Sequence, residues 1–139
     1  MIELRGVTKT YPMAAGPFTA LRDVDLTIAA GELVAVVGRS GSGKSTLLNL
    51  IAGIDRPTAG RVTVAGVEIE GLDEGRLATW RGKHVGVVFQ SFQLLPTLTV
   101  AENVMLPMDL AGAPRPRARR PRALELLASV GIADQADKL

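Results

Sequence analysis

Cysteine is absent from the 139 residues. That single lack removes disulfides, thiolate metal sites and cysteine nucleophiles, and it fits a reducing compartment. Long apolar runs are missing too. No window approaches 18 uncharged apolar residues, so no segment reads as a membrane-spanning helix. Histidine occurs once, at His84, ahead of an apolar run, and reads as solvent-facing or structural. The opening Met1-Ile2-Glu3-Leu4-Arg5 mixes acid and base and lacks the apolar stretch of a secretory signal. What is present is ordinary for a globular domain: 47% hydrophobic and 22% charged residues. That balance excludes disorder and low complexity as descriptions of the chain. The length is that of one domain or a piece of a larger one.

The net charge of +2 conceals an asymmetry. Arg115, Arg117, Arg119, Arg120 and Arg122 fall within eight residues. Set those five aside from the 16 basic residues, and 11 remain against 14 acidic ones. The high pI therefore reports one cluster and not a basic protein. The arginines alternate with proline and alanine and lack the interleaved aromatics of a stacking platform, so no nucleic-acid partner is expected. A solvated loop and helix start is the expected reading, with attraction to anionic lipid of about 1 kcal/mol per charge as a secondary possibility near a membrane.

Along the chain, Ile2–Tyr11 reads as a strand and Pro12 to Pro17 as a loop. Val24, Leu26 and Ile28 alternate with polar residues, the pattern of a half-buried strand. Leu33 to Val37 and Val85 to Phe89 are continuous apolar runs, the mark of strands covered on both faces as in parallel sheets. Ser45 to Ala52 reads as a helix stopped at Gly53. Arg61 to Glu70 reads as two short strands around Ala65-Gly66, and Leu72 to Gly82 as a short helix. Thr99 and Glu102 have the spacing of a capping box opening a helix that ends near Gly112. Pro114 to Pro121 reads as a proline-interrupted connector, with a last helix over Ala123 to Val130.

The strongest signal is Gly38-Arg39-Ser40-Gly41-Ser42-Gly43-Lys44-Ser45. It fits Gly-x4-Gly-Lys-Ser/Thr, the Walker A pattern. Polyphosphate is a dense anion, and glycines let backbone N–H groups wrap it in conformations that side chains block. The helix that follows offers its free N–H groups and positive dipole end to the same anion. Lys44 is placed to reach the β- and γ-phosphates, and the Ser45 hydroxyl to ligate Mg2+. A chance match in this length is about 5 in 1,000. The pattern also follows a buried-type strand and opens an apolar helix, the context it requires. Such a loop is shared by motors, GTPases, small kinases and transporters, so other residues must choose among them.

Those residues resemble the nucleotide-binding domain of ATP-binding cassette (ABC) transporters, over essentially the whole chain and in order. Gly38 to Ser45, continued by Thr46-Leu47-Leu48, looks like that family's phosphate loop. Val85 to Gln90 with Ser91-Phe92 resembles its Q-loop. Gly53 to Gly60 looks like its glycine-bounded turn before a hairpin. Phe92 to Val104 is similar to the branch serving lipoprotein-releasing and macrolide-export systems.

The resemblance implies an α/β fold of the P-loop NTPase type, incomplete at the C-terminus, with an N-terminal antiparallel β subdomain. Residues 1–32 and 60–72 are expected to form that subdomain, 33–59 and 83–90 the P-loop core, and 91–139 the start of the helical subdomain. ATP and Mg2+ are the implied cofactors. The implied contacts are Gly38, Arg39, Ser40, Gly41, Ser42, Gly43, Lys44, Ser45 and Thr46 for the phosphates, Tyr11 stacking on adenine, and Ser45 and Gln90 for the metal. Lys44 and Gln90 are the implied catalytic groups. Implied partners are transmembrane permease subunits, met near residues 91–112, and a second nucleotide-binding domain, on the cytoplasmic face of the membrane.

The sequence also departs from the family. No apolar run ends in the Asp and catalytic Glu of a Walker B strand, and no Leu-Ser-Gly-Gly-Gln signature is present. The segment is therefore expected to be the first three-fifths of such a domain, with Val34 to Val37 keeping an open edge or face, and hydrolysis by these residues alone is in doubt. A small phosphotransferase or GTPase, or a non-catalytic nucleotide-binding fragment, are the rival readings. The guanine motif Asn-Lys-x-Asp is missing, since Asn49 and Asn103 precede Leu and Val.

Overall fold

The computed structural model describes residues 1–91, 93–112 and 114–139. Phe92, part of the segment resembling a Q-loop, lies outside the described residues. The chain forms two compact units, Met1–Val85 and Gly86–Leu139.

The first unit is built on an antiparallel sheet. Strand β1 spans Ile2–Tyr11, β2 Phe18–Ile28, β3 Ala59–Val64 and β4 Val67–Glu68, in the order β2-β1-β3-β4. Period-2 side-chain alternation sets the registers. Leu4 sits opposite Leu26 on one side and Val62 on the other, and Tyr11 sits opposite Phe18. Ala65 and Gly66 both take positive φ, at 51° and 79°, as a two-residue hairpin of the primed kind requires. At Gly60 a Cβ would stand 2.3 Å from the Gly6 carbonyl oxygen. Only glycine allows β3 to close on β1 there, where the register shifts between Arg5 and Thr8.

Two helices cover this sheet. Helix α1 spans Lys44–Ile51 and buries Leu47 and Leu50. Helix α2 spans Glu74–His84 and buries Leu77 and Trp80. Asp73 caps α2 by accepting from the Arg76 amide at 2.8 Å. One core cluster joins Leu4, Val7, Leu21, Leu47, Leu50, Val62, Val64, Ile69, Leu77 and Trp80. The segment after α1 is clamped by cationic forks. Arg56 donates to the Glu70 and Leu72 carbonyls at 2.9 and 2.7 Å, and Arg81 to the Gly53 carbonyl at 2.7 Å. His84 stacks on Trp80, with centroids 5.8 Å apart; it is exposed and structural.

Two sequence expectations are corrected. Leu33 to Val37 and Val85 to Phe89 do not form strands. Leu33, Val37 and Val88 are 100%, 87% and 99% exposed. A parallel strand is held by ladder partners on its edges and helices on its faces. Neither run has a ladder partner among the described residues, so an apolar composition alone does not make it a strand. The expected open face of Val34 to Val37 is nonetheless present, as exposed apolar chain.

In the second unit, helix α3 spans Val100–Ala111 and α4 spans Pro116–Ser129, followed by a 3-10 turn at Ala133–Gln135. The capping box forms as expected. The Thr99 hydroxyl accepts from the Glu102 amide and the Glu102 carboxylate accepts from the Thr99 amide at 2.8 Å. Helix α4 begins seven residues earlier than expected, within the supposed connector. Pro116 occupies its first turn, where the missing N–H is harmless. Pro121 is inside the helix, but burial of Ala123 and Leu127, with Leu127 against Ala101 and Ala136, outweighs one lost backbone bond. The arginine run is engaged by acids of its own unit: Arg119 by Asp109, Arg120 by Asp137 at 2.7 Å and Arg122 by Glu125 at 3.0 Å.

Leu50 is 1% exposed and Leu48 is 55% exposed on the same helix. Leu50→Ala is expected to cost about 2–5 kcal/mol by cavity formation, and Leu48→Ala no more than about 0.5 kcal/mol. Urea unfolding of the two variants checks the difference.

Candidate functional site

The glycine-rich segment connects to α1 through a single tight point. Gly43 is the residue before the helix and has φ 85° and ψ 5°, the left-handed conformation. A Cβ on it would lie 2.7 Å from the Ala20 carbonyl oxygen and 2.9 Å from Leu21 Cδ2. Glycine is thus required twice, for the dihedral and for the close approach to β2. Leu47 and Leu50, seated in the core, fix the helix that starts there.

No side chain caps α1. Its first backbone bond runs from the Leu47 amide to the Gly43 carbonyl at 2.8 Å. The amides of Lys44, Ser45 and Thr46 therefore precede the intrahelical ladder, with the positive end of the helix dipole behind them. Lys44 folds back over the segment. Its ammonium donates to the Gly38 and Arg39 carbonyls at 2.9 and 2.7 Å and to Ser42 Oγ at 3.3 Å. Ser40 to Thr46, with Phe18 and Ala20 of β2, line a cavity of about 350 Å3. The lining contains one cation and no carboxylate. Its chemistry suits an anion.

Residues 40–46 of the expected set thus share one cavity. Gly38 and Arg39 join it through their carbonyls on Lys44. Tyr11 does not line the cavity. It is half-buried at the end of β1, and its hydroxyl donates to Asp55 Oδ2 at 2.8 Å. The Lys9 ammonium lies 4.8 Å from its ring centroid and donates to Asp55 Oδ1 at 2.6 Å and the Arg56 carbonyl at 2.7 Å. Burial pushes the Asp55 carboxyl up, but the bonds from Lys9, Tyr11 and the Arg56 amide, with the Lys9 charge, outweigh it and hold the group below its ordinary value.

Gln90 belongs to the second unit, exposed at a bend. Among the described residues, no group of three or more His, Cys, Asp or Glu side chains converges as a metal site. Phe18 was not singled out by sequence reasoning. Its signal was the hairpin register, which sets 18 opposite 11 across the Pro12 to Pro17 loop.

A glycine-bounded, helix-opening anion cavity behind an antiparallel sheet defines a phosphate-loop nucleotide-binding cassette in form. Comparison with known proteins agrees. The family model described as ABC transporter matches residues 21–139, and the chain belongs to that family. It is 47% identical over 135 residues to the macrolide export ATP-binding/permease protein MacB of Rhodopseudomonas palustris (strain HaA2), covering 97% of this chain and 20% of that protein. It is 49% identical over 132 residues to the methionine import ATP-binding protein MetN of Cupriavidus necator, covering 95% of this chain and 38% of that protein. Among solved structures, it matches the dimeric ATP-binding cassette MJ0796 bound to ADP and Pi with TM-score 0.90 and 43% identity, over 99% of this chain and 60% of that one. The chain thus spans a fifth to two-fifths of these two relatives and three-fifths of the solved cassette. Family membership sets aside the small phosphotransferase and GTPase readings.

The Asp55 cluster has a defined pH signature. A carboxyl whose folded value is lowered contributes stability above its unfolded value, 3.8 here, and loses it as pH falls through the lower folded value. The stability difference between wild type and Asp55→Asn is expected to shrink as pH falls from about 6 to about 2. Urea midpoints across that range check it; a constant difference contradicts the linkage.

Proposed function

We propose that this chain is the phosphate-binding portion of an ABC transporter's ATP-binding domain, and that Gly38 to Thr46 holds magnesium-ATP. The observation that carries the reading is the position of Lys44. Its ammonium is gathered onto the loop carbonyls, beside the helix-start amides lining the same cavity. An incoming β,γ-phosphate offers that ammonium a stronger, charge-assisted acceptor than a carbonyl, and the amides of 44 to 46 supply directional donors without adding side-chain bulk. The Ser45 hydroxyl, exposed at the second helical position, is the oxygen we assign to Mg2+, which supplies charge neutralisation at the phosphates when bound. On family resemblance, Tyr11 is assigned a place beside the base and Gln90 a polar role of its own segment.

Cleavage is a separate matter. In-line attack needs an activated water. No Asp-Glu pair closing an apolar run stands among these 139 residues. We therefore assign these residues binding and positioning, and hydrolysis to the whole cassette of the family. The same absence favours nucleotide binding without turnover as the behaviour of these residues alone.

Coupling to transmembrane permease subunits is proposed through residues 91–112. Leu94, Leu95 and Leu110 there are 64%, 45% and 81% exposed, apolar side chains that a partner would cover. A second ATP-binding domain is the other proposed partner, in line with the dimeric form of the matched cassette. A place on the cytoplasmic side of the membrane follows from the family; no helix among the described residues is long and apolar enough to cross one. Export and import relatives match at 47% and 49% identity, so the cargo is not written in this stretch.

Lys44→Ala is expected to remove magnesium-ATP binding measured by isothermal titration, with the circular dichroism spectrum unchanged. Retained wild-type affinity in that variant contradicts the assignment.

A further inference from the structure

Away from the phosphate loop, we infer that the groove along α2 is a docking site for an acidic peptide segment of a protein partner. The groove has a volume of about 360 Å3, and its lining includes Val67 and Leu72 from outside the helix and Arg76, Trp80, Lys83 and His84 from the helix itself. Those four recur at i, i+4, i+7 and i+8, which puts them on one helical face. Trp80 is 5% exposed, and among the described residues its Nε1 is the buried side-chain polar atom without a hydrogen-bond partner. A buried indole N–H ordinarily finds an acceptor. The ring itself shows where this one points. Cζ3 faces Gly53, 3.2 Å from where a Cβ would stand there. Nε1 sits at the opposite corner of the indole, away from Gly53, and Trp80 is part of the groove's lining. His84 stacks on the indole at 5.8 Å, and its Nδ1 donates to the Trp80 carbonyl at 3.0 Å, which fixes the ring in that orientation.

Charge selects the occupant. The lining holds no carboxylate. Of the acids at the start of α2, Glu74 pairs with Arg81 and Arg56 at 3.2 and 3.7 Å. Asp73 pairs with Arg76 at 3.3 Å, both side chains being mostly exposed, and an exposed pair of that kind is weak enough to exchange. Among the described residues, Lys83 and His84 enter no ion pair. A carboxylate laid here meets the Arg76 and Lys83 cations at the rim and an N–H donor that lacks an acceptor, and charge-assisted bonds are the stronger kind. The nitrogen is shielded from water, so an acceptor reaches it by moving the rim side chains aside. Val67, Leu72 and the indole supply apolar surface for the stem that carries the carboxylate. Arg76, Lys83 and His84 are exposed, so the groove is open on its outer side. Sites for free small molecules enclose most of the ligand. A peptide segment held at both flanks by the rest of its own protein needs no such enclosure, which favours it over a free metabolite.

Trp80 is the single tryptophan of the chain, so its fluorescence and its indole N–H resonance report on this groove. The probe is a short capped peptide of alternating aspartate and leucine, titrated into the folded chain beside the same peptide with asparagine in place of aspartate. The acidic peptide is expected to saturate, to move the indole N–H resonance, and to bind about tenfold more tightly than the asparagine peptide. Charge reversal by Arg76→Glu together with Lys83→Glu is expected to weaken the acidic peptide by about tenfold and to leave magnesium-ATP affinity unchanged. The inference is overturned if the acidic peptide shows no saturable binding, if the asparagine peptide binds equally well, if charge reversal leaves its affinity unchanged, or if it binds with the indole resonance unmoved. Displacement of the peptide by glutarate at matching concentration assigns the groove to a free small carboxylate and overturns the peptide reading. None of these outcomes bears on the phosphate loop, which the Lys44 variant tests separately.

Discussion

Everything local to the candidate site depends on the close packing of Gly43 against β2. The residue stands where a β-carbon would collide with the Ala20 carbonyl at 2.7 Å, in a left-handed conformation that side chains resist. That approach sets the distance between loop and strand. It also sets the point at which α1 begins, and so which amides precede the helical ladder. Leu47 and Leu50 hold the helix from below through the core. The cavity is the space left above a turn that is fixed on both sides.

Charge then decides what such a cavity can hold. Lys44 is the one charged residue in the lining, and its donors rest on backbone carbonyls and a hydroxyl. These acceptors keep the ammonium in place without neutralising it. A carboxylate there would have formed an ion pair and competed with an anionic ligand. The carboxylate of this region, Asp55, is instead occupied by Lys9 and Tyr11. The Lys44 loop and the Asp55 cluster are separate networks, the first beside β2 and the second held from β1.

The antiparallel sheet could be read from the residues, whereas the two runs read as parallel strands form none. Alternation in Ile2–Tyr11 and at Val24, Leu26 and Ile28, and the Ala65-Gly66 pair, specify their structure locally, because hairpin partners are near in sequence. The capping box at Thr99 and Glu102 is local in the same sense. Leu33 to Val37 and Val85 to Phe89 are different: a buried parallel strand is defined by distant partners, and without a ladder these runs are exposed chain. The first two turns of the helix over Pro116–Ser129 were missed for the opposite reason. Its prolines argue against a helix, but burial of Ala123 and Leu127 prevails. At the site, glycine spacing and the lysine gave the loop. Phe18 was invisible until the β1–β2 register placed it opposite Tyr11.

Backbone amide shifts read the proposed phosphate nest most directly. In a magnesium-ATP titration followed by two-dimensional NMR of the folded chain, the largest saturable changes are expected at the amides of Gly41 to Thr46, with smaller ones at Phe18 and its strand neighbours. Saturable changes centred elsewhere, with residues 41 to 46 unmoved, would contradict the account.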